Sequence, residues 1–142
     1  MTYEEILQTL RASQPQKSHR RHSEEEHRIQ CSCVKWFRLA YAEHRHNLFA
    51  VPNGGRRDKV TAAKLKAEGV LAGVADLILL IPNGQFHALL IEMKTRTGTQ
   101  QATQKEWQRC IETYGYKYVV CRSLDDFRTE INNYLGHVNI KT

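Results

Sequence analysis

The sequence lacks the long apolar runs and the basic, then apolar, start that mark membrane and secreted proteins. No segment of its 142 residues approaches the roughly 20 apolar residues of a membrane span. Residues 1–6 include two glutamates where a signal peptide needs a basic region. We therefore expect no membrane partner and an intracellular, cytoplasmic location.

Cysteine is sparse, and its spacing excludes the common metal and redox motifs. The four cysteines, at positions 31, 33, 110 and 121, show neither Cys-x-x-Cys spacing nor a cysteine and histidine zinc pattern. We expect them to be reduced thiols that are buried or partly buried.

Acidic residues are also few, because 15 aspartates and glutamates stand against 21 lysines and arginines, for a formal net charge of +6. This excess of positive charge favours polyanionic partners such as nucleic acid.

The length suits one domain with a single core. The pattern predicts an N-terminal helix and basic linker over residues 1–22, followed by one domain over 23–142. Within the domain, helices are predicted at 23–43, 60–68, 102–114 and 123–135, and strands at 48–51, 76–81, 86–91 and 116–121. Such an order predicts an α/β fold in which helices flank a mixed sheet.

Charged residues cluster at the ends of two apolar runs. Asp76 begins the run 76–81, and Glu92 and Lys94 follow the run 86–91. Because side chains alternate along a strand, Glu92 and Lys94 point to the same face. Charges beside a buried sheet are costly unless they bind a metal ion or one another. Two carboxylates and a lysine suit metal-assisted hydrolysis of phosphodiesters.

The turn between these runs sets a geometric condition. A two-residue turn at Asn83-Gly84 would place Asp76 opposite Ile91, so that Asp76 and Glu92 would point to opposite faces. Shared metal ligation therefore predicts a connecting loop of odd length, a bulge, or a sharp bend at Asp76.

Several short motifs follow one another in a specific order. They are Glu26-x-x-Ile29-Gln30, Pro52-Asn-Gly-Gly55, Gly73-Val-Ala-Asp76, Ile91-Glu-Met-Lys94, Gly98, Gln104 and Gly115-Tyr116. Together they resemble the VRR-NUC branch of the PD-(D/E)xK nucleases, over roughly residues 23–135. The chain departs from that pattern at Ala75, where the family usually has proline, and at Gln101, where serine or threonine often stands.

The resemblance implies a divalent-metal-dependent DNA endonuclease with a restriction-endonuclease-like core. It implies that the catalytic residues are Asp76, Glu92, Lys94 and Gln104. It implies Mg²⁺ or Mn²⁺ held by Glu26, Asp76, Glu92 and the carbonyl of Met93, with Gln30 supporting the site. Small stand-alone, phage-like members further suggest a homodimer, phage-encoded in a bacterial host, that cuts branched DNA such as four-way Holliday junctions.

A basic segment follows the first predicted strand and offers a path for the scissile phosphate. Its candidate contacts are Asn53, Arg56, Arg57, Lys59, Lys64 and Lys66. Phosphate contacts position DNA without reading its sequence, so we expect a preference for DNA structure rather than for a sequence. The same charges would also serve solubility alone.

Other interpretations of these residues stay open. Glu26 stands three residues after Ser23, so it either closes a helix-capping box or ligates metal. Glu92 and Lys94 would form a solvated ion pair in a non-catalytic nucleic-acid-binding protein, or in a partner-binding protein built on a nuclease scaffold. Four aromatic residues fit either a dimer interface or core packing: Trp107, Tyr114, Tyr118 and Tyr134.

Overall fold

The computed structural model describes residues 2, 4, 5, 8, 20–52 and 58–136. Its elements are helix α1 (Arg20–Ala40), a 3₁₀ turn (Ala42–His44), strand β1 (Leu48–Ala50), helix α2 (Lys59–Ala67), strands β2 (Leu77–Leu79) and β3 (Leu89–Met93), helix α3 (Ala102–Thr113), strand β4 (Lys117–Cys121) and helix α4 (Leu124–Leu135). The predicted α/β class is confirmed. None of the helices in these ranges is long and apolar enough to cross a membrane.

The four strands form one mixed sheet in the order β1-β2-β3-β4. The pairs β1–β2 and β2–β3 are antiparallel, and β3–β4 is parallel. Parallel strands need a crossover connection, and α3 supplies it between β3 and β4. The carboxyl ends of β3 and β4 therefore lie at the same end of the sheet.

Helices cover both faces of the sheet and create two cores. On one face, α1 and α4 pack against the strands through Phe37, Phe127 and Ile131. On the other face, Trp107 and Ile111 of α3 pack near Leu90 and Tyr118. Along β3, odd-numbered residues enter the α1/α4 core, as their alternation requires. Even-numbered residues, Glu92 among them, face α3.

The register of β2 against β3 satisfies the condition for shared metal ligation, which is that Asp76 and Glu92 point to the same face of the sheet. Leu77 pairs with Ile91, which puts the preceding residue, Asp76, opposite Glu92. The turn closes between Asn83 and Phe86, whose carbonyl accepts from the Asn83 N–H at 3.1 Å. Three residues, 80–82, separate this turn from β2, but only two, 87–88, separate it from β3. That one extra residue on the β2 side brings both carboxylates to the same face. The two central residues of the turn are Gly84 and Gln85 rather than Asn83 and Gly84.

A buried asparagine fixes the turn and ties it to the last helix. The Asn83 side-chain oxygen accepts from the backbone N–H of Gln85 at 3.0 Å and of Phe86 at 2.8 Å. Its amide donates to the Tyr134 carbonyl at 3.2 Å. The Tyr134 hydroxyl in turn donates to the Ile81 carbonyl at 2.5 Å. Helix α4 thus holds the register that aligns Asp76 with Glu92.

The start of α1 corrects one prediction. The helix begins at Arg20, so Ser23 lies inside it rather than at its N-cap, and the proposed capping box with Glu26 is wrong. In the predicted N-terminal helix, residues 4, 5 and 8 are helical. Thr2 is not helical, and the other positions of that helix, with residues 13–19 of the predicted linker, lie outside the described residues. The division into 1–22 and 23–142 therefore stays a prediction.

Two groups of side chains also differ in part from expectation. All four cysteines are free thiols, but Cys31 and Cys110 are exposed, and only Cys33 and Cys121 are buried. Of the four aromatic residues, three pack in the cores and Tyr114 alone is largely exposed, at 74%.

Candidate active site

Asp76 lies where β2 begins, and its backbone and side chain bind two different strands. Its carbonyl accepts from the Val51 N–H at 2.9 Å, which continues the pairing of β1 with β2. Its Oδ2 accepts from the Met93 N–H at 2.7 Å. This second contact fixes the carboxylate beside the end of β3, where Glu92 and Lys94 are found.

Glu92 is a buried acid with donors on both carboxylate oxygens. Its exposed fraction is 2%, and that of Lys94 is 7%. Oε1 accepts from the Gln104 amide at 2.8 Å and lies 3.9 Å from the Lys94 ammonium. Oε2 accepts from the Tyr118 hydroxyl at 3.2 Å. Such partners are what a buried carboxylate needs to offset its lost hydration.

Gln104 connects Glu92 to the first turn of α3. Its Oε1 accepts from the Gln101 backbone N–H at 2.8 Å, as one half of a capping box. This bond orients the amide so that Nε2 points at Glu92. The structure therefore brings Asp76, Glu92, Lys94 and Gln104 into one site, and Gln101, a departure from the family pattern, is the N-cap residue of α3.

Burial and the neighbouring Asp76 perturb the ionisation of Glu92. The pKa of Glu92 is raised to about 9, first because the side chain is buried and then because the Asp76 carboxylate lies beside it. Lys94 and Tyr118 lower that pKa but do not cancel the rise. In the absence of a cation, Glu92 thus keeps a proton at neutral pH. A divalent cation would replace that proton and neutralise the pair, so the donor set fits one.

The backbone carbonyl of Met93 is a third oxygen group that could bind a cation, beside the Asp76 and Glu92 carboxylates. The N–H and C=O groups of one strand residue leave the strand on the same side. Because the Met93 N–H donates to Asp76, the Met93 carbonyl also lies on the Asp76 side of β3. Asp76, Glu92 and the Met93 carbonyl are therefore the oxygen ligands that the site offers.

Glu26 and Gln30 share an open groove with Asp76. The groove has a volume of about 1210 Å³ and lies between α1 and the end of β1. Among residues 20–52 and 58–136, however, no three histidine, cysteine, aspartate or glutamate side chains are close enough to hold a metal ion together. The described structure thus places Glu26 and Gln30 beside Asp76 in the groove without completing a three-acid cluster.

The predicted DNA segment is only partly described. Lys59, Lys64 and Lys66 are exposed on α2, a helix without buried residues. Asn53, Arg56 and Arg57 lie outside the described residues. Helix α2 begins after Asp58, whose carboxylate caps it by accepting from the Thr61 N–H at 2.7 Å.

Two residues that sequence reasoning missed shape the site. Tyr118 reaches Glu92 from β4, and its only sequence signal is that it alternates with Tyr116 and Val120 along a strand. Arg122 follows β4, and its guanidinium donates to the carbonyls of Thr95 at 2.8 Å and Gly98 at 2.5 Å. Arg122 thereby shapes the loop after Lys94, and no local pattern marks it.

Gly73 allows the loop before Asp76 to contact α3. It has a φ of +91°, and a Cβ there would lie 2.6 Å from the Thr103 carbonyl oxygen and 2.7 Å from its carbon. Real Cβ atoms do not approach backbone so closely. Glycine at this position thus lets the Asp76 loop pack directly beside Gln104.

Comparisons with known proteins agree with this fold. The family model of the VRR-NUC domain matches residues 10–125. A solved structure of a VRR_NUC domain protein superposes with a TM-score of 0.69 at 25% identity, over 87% of this chain and 93% of that one. No curated protein matches. The family match spans every site residue from Glu26 to Gln104.

We predict that the metal-free protein loses stability as pH rises. The pKa of Glu92 is about 9 in the folded chain against an ordinary value of 4.5, so the folded chain binds more protons than the unfolded chain between these values. The free energy of unfolding must then fall as pH rises through that window. Glu92→Gln cannot ionise and should flatten the slope, as urea denaturation in EDTA would measure. An equal slope in the variant would show that Glu92 is not the group responsible.

We also predict that Gly73→Ala is more damaging than a matched glycine replacement. Gly69 has a φ of +106°, and a Cβ added there would meet nothing within 4 Å, so Gly69→Ala measures backbone strain alone, on the order of 1 kcal/mol. Gly73→Ala adds a backbone clash that should cost about 1–3 kcal/mol more. Urea denaturation of both variants measures the difference, and equal losses would refute the close approach.

Proposed function

Because this chain belongs to the VRR-NUC domain family, we propose that it hydrolyses phosphodiester bonds in DNA with the help of Mg²⁺ or Mn²⁺. The observation that carries the proposal is the buried Glu92 carboxylate beside the partly buried Asp76. A glutamate whose pKa is raised by burial and by an adjacent aspartate suits a divalent cation better than it suits a structural ion pair. Lys94 beside them supplies the positive charge that phosphoryl chemistry needs.

Each residue then has a distinct role. Asp76, Glu92 and the Met93 carbonyl would hold the cation, which supplies Lewis-acid activation of the phosphate and of water. Lys94 is held near Glu92 by their ion pair, and from there it orients the attacking water or offsets charge on the phosphate. Gln104 keeps the Glu92 carboxylate in place through the amide bond to Oε1.

The groove that contains Asp76 offers a path for the DNA backbone. Arg28, Lys35 and Arg38 line it along α1 and are exposed. A helix rises about 1.5 Å per residue, so these charges extend over roughly 15 Å, enough to follow a few phosphates of one strand. We propose that they act together with the predicted contacts on and before α2: Asn53, Arg56, Arg57, Lys59, Lys64 and Lys66.

We further propose a homodimer that prefers branched DNA such as four-way junctions. One domain carries one site, whereas symmetric cutting of two strands needs two sites related by a two-fold axis. The support is the family likeness, together with exposed apolar side chains such as Leu39, at 76%, that an interface would cover. Residence inside a bacterial cell as a phage-encoded protein is proposed on the same likeness.

The decisive experiment is cleavage by site variants. We expect wild-type protein to cut DNA with Mg²⁺ or Mn²⁺ and not with EDTA. Glu92→Gln and Lys94→Ala should each lower the single-turnover rate by roughly two orders of magnitude or more, because they remove cation charge or water activation, while DNA binding persists. Lys117→Ala, which breaks an ion pair with Glu130 at 3.6 Å outside the site, is the control. Near-wild-type rates in either site variant would place catalysis elsewhere.

The same assay tests the branched-DNA and homodimer proposals separately from nuclease activity itself. Cleavage rates are compared for linear, flapped, splayed and four-way DNA, and light scattering at the assay concentration measures the oligomeric state. A monomer that cuts linear duplex as fast as junctions would overturn the dimeric, branched-DNA proposal and leave the nuclease intact. Binding without metal-dependent cleavage would indicate the non-catalytic alternative.

If DNA follows the groove, neutralising its basic residues should change the salt dependence of DNA affinity. Lys35→Ala combined with Arg38→Ala should weaken DNA binding similarly for all sequences. It should lower the slope of log affinity against log salt by about one unit per lost phosphate contact. Lys105→Ala with Arg109→Ala removes two exposed charges from α3 and is the matched control. Equal slopes in the two variants would move the DNA path away from the groove.

A further inference from the structure

A run of hydrogen bonds leads from Glu92 across α3 to its exposed face. Tyr118 donates its hydroxyl to Glu92 Oε2 at 3.2 Å. Gln100 Nε2 donates to the Tyr118 hydroxyl oxygen at 3.2 Å and to Gln108 Oε1 at 3.0 Å. Gln108 Nε2 then donates to Glu112 Oε1 at 2.6 Å. Three side chains thus connect the buried acid to an exposed one.

When a cation replaces the proton of Glu92, the chemistry of the two ends fixes the direction of every bond. Glu92 and Glu112 are then both ionised and only accept hydrogen bonds, so a run between them needs one group that donates both ways. The NH₂ group of Gln100 is that group. Glu112 forces Gln108 to present Nε2 outward and Oε1 inward, and Oε1 can only accept from Gln100. Since Tyr118 accepts from Gln100, its single proton is left for Glu92.

The hydrogen-bond donors around Glu92 also limit the orientations in which its carboxylate can bind a cation. The Gln104 amide donates to Oε1 and the Tyr118 hydroxyl donates to Oε2, while the Lys94 ammonium lies 3.9 Å from Oε1. With one donor on each oxygen, the carboxylate cannot rotate without breaking a hydrogen bond. These donors therefore determine where the remaining lone pairs of the carboxylate point.

We propose that Tyr118 and Gln100 are positioning residues that hold the Glu92 carboxylate in the orientation in which it binds the divalent cation. This inference rests on the proposed function and deepens it. Neither residue touches the cation or the DNA; Gln100 acts only through the hydroxyl of Tyr118, and Tyr118 only through Glu92. Partners of this kind typically change metal affinity or activity by about 10- to 100-fold when removed.

The test is a double-mutant cycle on Mn²⁺ affinity, measured by calorimetry without DNA. Tyr118→Phe removes only the hydroxyl and keeps the ring that packs edge-on against Trp107, with centroids 6.2 Å apart. It should weaken Mn²⁺ binding about 10-fold or more. Gln100→Glu has the same size but cannot donate, so the Tyr118 hydroxyl turns away from Glu92 and affinity should also fall. If attraction between the added negative charge and Mn²⁺ were the only effect, Gln100→Glu would instead raise the affinity.

The cycle isolates the relay from other effects. In the Tyr118→Phe background, Gln100→Glu should no longer weaken Mn²⁺ binding, because Gln100 acts only through the missing hydroxyl. Tyr114→Phe, which removes an exposed hydroxyl, and Gln85→Glu, which adds a charge in the exposed hairpin turn, are the matched controls. Thermal denaturation confirms that all variants fold.

The outcomes separate this inference from the proposed function. Unchanged Mn²⁺ affinity in Tyr118→Phe, or additive losses in the double variant, would overturn the relay while DNA cleavage by the wild type stands. A wild type that binds Mn²⁺ but does not cleave DNA would overturn the proposed function, and the cycle would still decide the relay. Wild-type protein that binds no Mn²⁺ would overturn both.

Discussion

The register between β2 and β3 is the constraint on which the rest of the site depends. Side chains alternate with period two, so a slip of one residue would send the Asp76 carboxylate into the apolar core beneath α1 and α4. The pairing of Leu77 with Ile91 prevents this. Asn83 secures it by closing the turn and binding the backbone at Tyr134, far along the chain. A buried polar side chain on a loop thus determines the geometry of acids at the opposite end of the strands.

Correct alignment has an electrostatic cost. Glu92 is buried beside the Asp76 carboxylate, and its pKa rises accordingly. Gln104 and Tyr118 donate hydrogen bonds to Glu92, and the Lys94 ammonium lies 3.9 Å away, so these three groups offset part of that cost. Under the proposed function, binding a cation would relieve the remainder.

Sequence patterns predicted the parts of the site that depend on local order. Alternation along β3 put Glu92 and Lys94 on one face, and the loop condition between the two apolar runs anticipated the extra residue before the turn. Three features were missed, of which Arg122 carries no local sequence signal. The start of α1 was misplaced because a serine followed by a glutamate is only a local signal, and the helix continues past it to Arg20. Tyr118 was missed because its approach to Glu92 depends on the parallel pairing of strands separated by a whole helix.

Met93 shows how the core and the site are coupled. Its side chain is 1% exposed and packs in the core formed with α1 and α4, while its N–H holds the Asp76 carboxylate on the strand edge. Among substitutions only proline removes that N–H, so with any other side chain the contact is lost only if the strand itself shifts. Packing beneath the sheet therefore acts on the acids through the backbone of β3. A change in core volume at Met93 would reach Asp76 without altering any residue that lines the site, because tightly packed interiors transmit displacement.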